Sequence, residues 1–181
     1  MKKKFIMLTL AFTFLMTNCS NDDSGTVTNP HLETEIPTES DPTTSSEQLS
    51  VMAKQMFDLI NKTRAEGCIC GGEKMPPVPK LTYNFLLQKA ALTHSQDMAK
   101  NKFMAHTGSD GSTLGSRVNK VGYTYRAVAE NVAAEQISVQ EVMNSWLNSS
   151  GHCKNIMGSV YKEVGVAMVD NYWTQVFATK M

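Results

Sequence analysis

Apolar residues return at helical spacing in four stretches of the chain and at alternate positions in its tail. Leu49, Met52, Ala53, Met56 and Ile60 recur every three or four residues, which predicts a first helix from near Ser46 to Glu66. Ser45 and Gln48 offer it a capping box, and Gly67 a stop. Gly and Pro crowd 71–80, which reads as a loop. Leu87, Ala90, Ala91, His94 and Met98 line one face of a second helix over 84–100, and Leu114, Val118 and Val121 mark a short third one over 112–120. Ser138 and Glu141 repeat the capping-box pattern ahead of Val139, Val142, Met143, Trp146 and Leu147, so a fourth helix ends near Ser149.

After that helix the period changes. Val160, Lys162, Val164, Val166 and Met168 alternate, Asp170-Asn171 is turn chemistry, and Tyr172 to Ala178 is β-branched and aromatic. A terminal antiparallel hairpin follows, with a further strand through Ala127 to Ala133. The order of elements argues for an α+β domain in which helices cover an antiparallel sheet.

The N-terminus follows neither period. Lys2, Lys3 and Lys4 precede an apolar run from Phe5 to Met16, the layout of an export signal over 1–18 and too short for a comfortable membrane span. Met16-Thr-Asn-Cys19 is similar to a bacterial lipobox, with Asn18 where a smaller residue is usual, and the resemblance makes Cys19 the acylated residue. Residues 19–45 read as an acidic, disordered tether, leaving 46–181 as one domain. The expected partner is thus the membrane, through the N-terminal lipid. The expected location is the cell envelope at the outer membrane, with exposure at the cell surface as one orientation.

Charge narrows the partners further. The formal total is zero, but three basic residues belong to the signal and seven acidic ones to residues 20–48, which leaves the rest with a small positive excess. No clustered basic stripe is present, so nucleic acid is not an expected partner. A monomer is expected.

Beyond Cys19 the cysteines are Cys68, Cys70 and Cys153. Outside the cytoplasm a pair is normally a staple. One residue separates Cys68 from Cys70, so one of them reaches Cys153; Cys70 is the favoured partner and Cys68 the alternative.

His106, Glu130 and His152 carry the candidate chemistry. His152 is placed just past the fourth helix, in extended backbone, where neighbouring side chains diverge and His152 does not share a proton with Cys153. Ser109, Ser112 and Ser149 lack a nucleophile-elbow motif. His94, on the apolar side of its helix, reads as a core histidine with one hydrogen bond. Trp146 and Trp173 read as core anchors, Trp173 with a further option of touching a ligand, and Arg117 and Arg126 read as solvated or paired.

Seven pieces in order carry a family resemblance: Leu81-Thr-Tyr-Asn84, Ala90-Ala91 with Asp97-Met-Ala99, His106-Thr-Gly-Ser-Asp-Gly-Ser112, Ala129-Glu-Asn-Val-Ala133, Gly151-His152 with Asn155-Ile156, Glu163-Val-Gly-Val166 and Tyr172-Trp-Thr-Gln-Val-Phe177. Over 50–181 the chain resembles the bacterial branch of the CAP superfamily (cysteine-rich secretory proteins, antigen 5 and pathogenesis-related proteins), also called SCP domains. The resemblance implies a three-layer α-β-α sandwich and a cleft lined by two histidines and two glutamates. His106, His152 and Glu130 match three of those positions; Ser149 stands at the fourth, and Glu163 is a further candidate for the same cleft. Two imidazoles and a carboxylate are the donor set of an open divalent-metal site such as zinc, with His106 and His152 as ligands. They equally suit acid–base chemistry without metal. Three functions follow as expectations: a binding module for a small ligand, lipid, metal or envelope component; a hydrolase acting on peptide or envelope substrates; or a non-catalytic adhesion protein.

Overall fold

The computed structural model describes residues 49–181; the export segment, Cys19, the tether and the Ser45–Gln48 cap lie outside them. The first helical pattern forms α1 (Val51–Glu66). It starts later than its apolar period, because the Ser50 hydroxyl accepts from the Ala53 amide and fixes the N-cap there.

The Gly- and Pro-rich segment is not wholly loop. It begins in a hairpin of β1 (Cys68–Cys70) and β2 (Glu73–Met75), in which Gly71 and Gly72 take φ of 59° and 89°, both left-handed turn positions. β3 (Thr82–Tyr83) leads into α2 (Phe85–Asn101), where the Asn84 side chain accepts from the Leu86 and Leu87 amides. α3 (Leu114–Lys120) is capped by Thr113 and followed by β4 (Tyr125–Ala134). α4 (Val139–Asn148) begins at Ser138, whose side chain accepts from the Glu141 amide. A fifth helix comes next, α5 (Ser150–Ile156), then β5 (Glu163–Val169) and β6 (Tyr172–Lys180). Asp170 and Asn171 join the last two strands with φ of 48° and 64°.

The main sheet runs β3-β5-β6-β4. Both pairings of β6 are antiparallel, but β3 joins β5 in parallel, so the sheet is mixed at one edge. Alternation along β6 divides the core. Trp173 and Phe177 face Met56, Ile60, Met143, Trp146 and Ile156 of α1, α4 and α5. Val176 and Ala178 face Leu87, Ala90, Ala91 and Val118 of α2 and α3. Burying each large side chain contributes about 1.5–3 kcal/mol. The result is the three-layer α-β-α sandwich.

Two details fix the layers. A Cβ on Gly165 of β5 would stand 2.0 Å from the Gln88 nitrogen, so α2 rests directly on the sheet only because this residue has no side chain. Trp146 and Trp173 are both 1% exposed and donate from Nε1 to the carbonyls of Val132 and Gln136. Trp173 is therefore a core anchor, without the exposure a ligand contact requires.

Candidate functional site

His106 sits in the segment between α2 and α3, which is fastened at several points. Inside α2, the buried His94 ring donates from Nε2 to the Ala105 carbonyl at 2.7 Å. Burial holds His94 below the ordinary imidazole range, outweighing the opposite pull of Glu130, so the ring is neutral. Asp97 accepts from the Ser109 amide at 2.7 Å, and Asp110 from the Ser112 amide at 2.8 Å. Arg117 of α3 donates from Nη1 to the Ser112 carbonyl and from Nη2 to the His106 carbonyl.

Behind the loop lies Glu130, on β4. Its carboxylate accepts from His106 Nδ1 at 2.9 Å and from Arg117 Nη2 at 2.8 Å. The Glu130 side chain is 2% exposed and that of His106 is 61% exposed. A carboxylate on Nδ1 fixes the tautomer of a neutral ring and leaves Nε2 facing water. Arg117 is thus a working part of the site, buried and paired, while Arg126 is exposed.

Asn131 follows Glu130 and points to the opposite face of the sheet. It is fully buried; its Nδ2 donates to the His152 carbonyl and to Gln175 Oε1, and its Oδ1 accepts from Asn155 Nδ2. His152 itself lies in α5, not in extended backbone. Its neighbour Cys153 is spent in the Cys70–Cys153 disulfide, which is why the two cannot act as a Cys–His pair. Burial first, then electrostatic repulsion between the two imidazoles, lowers the His152 ring below its ordinary range. The segments that carry the two imidazoles therefore contact opposite faces of β4, an edge strand of the main sheet, one through Glu130 and the other through Asn131.

Glu163 is engaged elsewhere. Glu163 accepts from Asn84 Nδ2 at 2.9 Å and from the Tyr123 hydroxyl, tying α2 and the segment after α3 to the start of β5. Ser149 is the junction between α4 and α5, and its side chain makes no capping bond.

Zinc sites take three or four protein donors. Among the described residues His106, Glu130 and His152 do not gather three donor atoms within 4.8 Å; Cys68, Cys70 and Cys153 do. Both Glu130 oxygens are already engaged, so the cleft offers two imidazoles without a third donor. These residues do not fit the three-ligand centre expected from their types.

The model of the cysteine-rich secretory protein family matches residues 57–179. The chain belongs to the CAP family. The CAP chain is 31% identical over 142 residues to YkwD of Bacillus subtilis, an uncharacterised protein, covering 76% of this chain and 52% of that one. It is 28% identical over 124 residues to the uncharacterised membrane protein YlbC of the same species, covering 68% and 33%. It thus spans about half the length of the first relative and a third of the second.

Solved structures agree on the fold. An extracellular Bacillus anthracis protein containing an SCP domain gives a TM-score of 0.65 at 28% identity, covering 78% of this chain and 45% of that one. An outer surface protein of Borrelia burgdorferi gives 0.61 at 21% identity, covering 71% and 92%, a likeness of fold alone. Among the described residues no helix is long and apolar enough to cross a membrane.

Sequence reasoning named both histidines and Glu130 and read Arg117 as solvated or paired, without assigning it as the counter-charge of Glu130. The available signal was its position on the turn of α3 that follows the His106 loop. It also missed Asn131, whose adjacency to Glu130 on a strand places it on the other face.

Proposed function

We propose that this CAP chain is an extracytoplasmic binding module, tethered to the cell envelope by a lipid on Cys19, that holds a small ligand or envelope component between His106 and His152. The observation that carries this reading is a water-facing imidazole held rigid from behind by a buried carboxylate and guanidinium. Burying such charges is costly, and the arrangement fixes the direction in which Nε2 is presented. This ring and that of His152 suit hydrogen bonding to hydroxyl, carboxylate or phosphate groups. The export signal and lipobox-like segment support the location, as does the likeness to a Bacillus anthracis protein described as extracellular.

The test has two arms. Labelled palmitate should enter the wild-type protein in its host and be lost in Cys19→Ala. Ring resonances of His106 and His152 are followed while purified protein is titrated with total polar lipid and, separately, with soluble peptidoglycan fragments. Movement of both rings, with that of His152 abolished in His106→Ala, supports the reading; rings indifferent to both fractions would sink it.

The Glu130–His106 pair also favours a second reading, because an imidazole oriented through Nδ1 is a competent general base at Nε2. Turnover of peptide or envelope substrates, lost in His106→Ala with the fold intact, would replace binding by hydrolysis.

A further inference from the structure

β1 directs Cys68 and Cys70 to the same side, as alternate residues of a strand do. Both sulfurs meet Cys153 on α5. Cys70 is bonded to it, with Cα atoms 5.4 Å apart. The Cys68 sulfur stands 3.5 Å from that of Cys153 and 3.7 Å from that of Cys70. Cys68 is a free thiol with partial exposure, whereas the bonded pair is buried. A thiol in contact with both sulfurs of a disulfide has the proximity that thiol–disulfide exchange requires.

We infer that Cys68, Cys70 and Cys153 form an intramolecular exchange centre in which the disulfide moves between Cys70–Cys153 and Cys68–Cys153, with Cys153 as the pivot. Cys68 loses its proton to solvent and its thiolate attacks the Cys153 sulfur. The Cys68–Cys153 bond forms as the Cys70–Cys153 bond breaks, and Cys70 departs as a thiolate that takes up a proton. One S–S bond replaces another, so no oxidant or reductant is consumed.

Strand geometry selects the pivot. Residues two apart on a strand have Cα atoms about 6.6 Å apart. That is the upper end of the disulfide range of roughly 4.4–6.8 Å. Bonding Cys68 to Cys70 would therefore need the longest allowed span within one extended strand, whereas Cys70 already bonds Cys153 with Cα atoms 5.4 Å apart. The near-equal distances to the two bonded sulfurs mean that Cys68 flanks the bond instead of lying on its axis, so exchange requires a side-chain rotation or a brief opening of β1. The strand suits such opening: it is three residues long, among the described residues pairs only with β2, exposes 67% of Ile69, and is flanked by Gly67 and Gly71 at positive φ. Because α5 carries His152 next to Cys153, moving the bond changes how the helix beneath that ring is anchored.

Burial pushes the Cys68 thiol up from its ordinary value. Equilibration is therefore run at about pH 8.5, without reductant, where thiolate forms. The full mature protein is then quenched with acid, unfolded in guanidinium and labelled with N-ethylmaleimide at mildly acidic pH. Fragmentation between Cys68 and Cys70 locates the label. Label on both, with Cys70 carrying about a tenth or more, is expected for an exchanging pair. Label confined to Cys68, or found on Cys153, overturns the inference. Folded Cys70→Ser gives a second reading: a Cys68–Cys153 bond is expected, and free thiols at both Cys68 and Cys153 would overturn it.

Discussion

Arg117 Nη2 lies 2.8 Å from Glu130 Oε2, and the two side chains are 4% and 2% exposed. Replacing Arg117 by Met leaves the buried carboxylate with His106 as its remaining hydrogen-bond donor. Breaking a buried pair in this way costs about 3–5 kcal/mol. Urea unfolding of Arg117→Met should show that loss. A change below about 1 kcal/mol would mean that the pair behaves as a surface contact.

Acid should weaken the fold through two rings. Burial lowers His94, and burial together with repulsion from the His106 ring lowers His152. Unfolded, each takes up a proton below about pH 6.5. The unfolded state then binds more protons than the folded one, so their contribution is complete above that pH and is lost as pH falls beneath it. Urea midpoints should decline between about pH 7 and pH 5, and His94→Gln should flatten the decline. An equally steep profile in that variant would assign the slope elsewhere.

Gly165→Ala tests the contact between α2 and the sheet. The added Cβ would stand 2.0 Å from the Gln88 nitrogen and 2.3 Å from the Leu87 carbonyl carbon, both backbone atoms that cannot rotate aside. Overpacking against side chains costs about 1–3 kcal/mol, and a helix backbone yields less readily. A melting temperature lower by roughly 10 °C or more is expected by scanning calorimetry.

Removing the staple should depend on which sulfur is removed. The disulfide joins residues 83 apart in sequence. Closing a loop of that order restricts the unfolded chain by about 4 kcal/mol. Cys153→Ser should lose most of this. Cys70→Ser should lose clearly less, because Cys68 stands ready to take its place; equal losses would mean that Cys68 cannot.

Where a segment buries a periodic face, its type was legible in the sequence. Leu87, Ala90, Ala91 and Met98 mark α2, and Val164, Val166 and the Asp170-Asn171 turn mark the final hairpin. Elements held by tertiary contacts were not. α5 spans seven residues, contains Gly151 and has no apolar stripe; it is fixed by the Cys153 bond and the Asn131–His152 contact. β3 is two residues long and exists through its pairing with β5. In the site, His106, Glu130 and His152 were legible as residue types in familiar motifs. Glu163 was not separable from them, since only the fold shows its carboxylate taken by Asn84 and Tyr123.

His106 is carried by the connection between α2 and α3, and His152 by α5 on the far side of the sheet. The gap between the rings is thus a gauge of how the outer helical layers are seated. A molecule that gripped both would act as a fastener across the whole sandwich. Its affinity would register as resistance to unfolding, raising the melting temperature in step with its concentration.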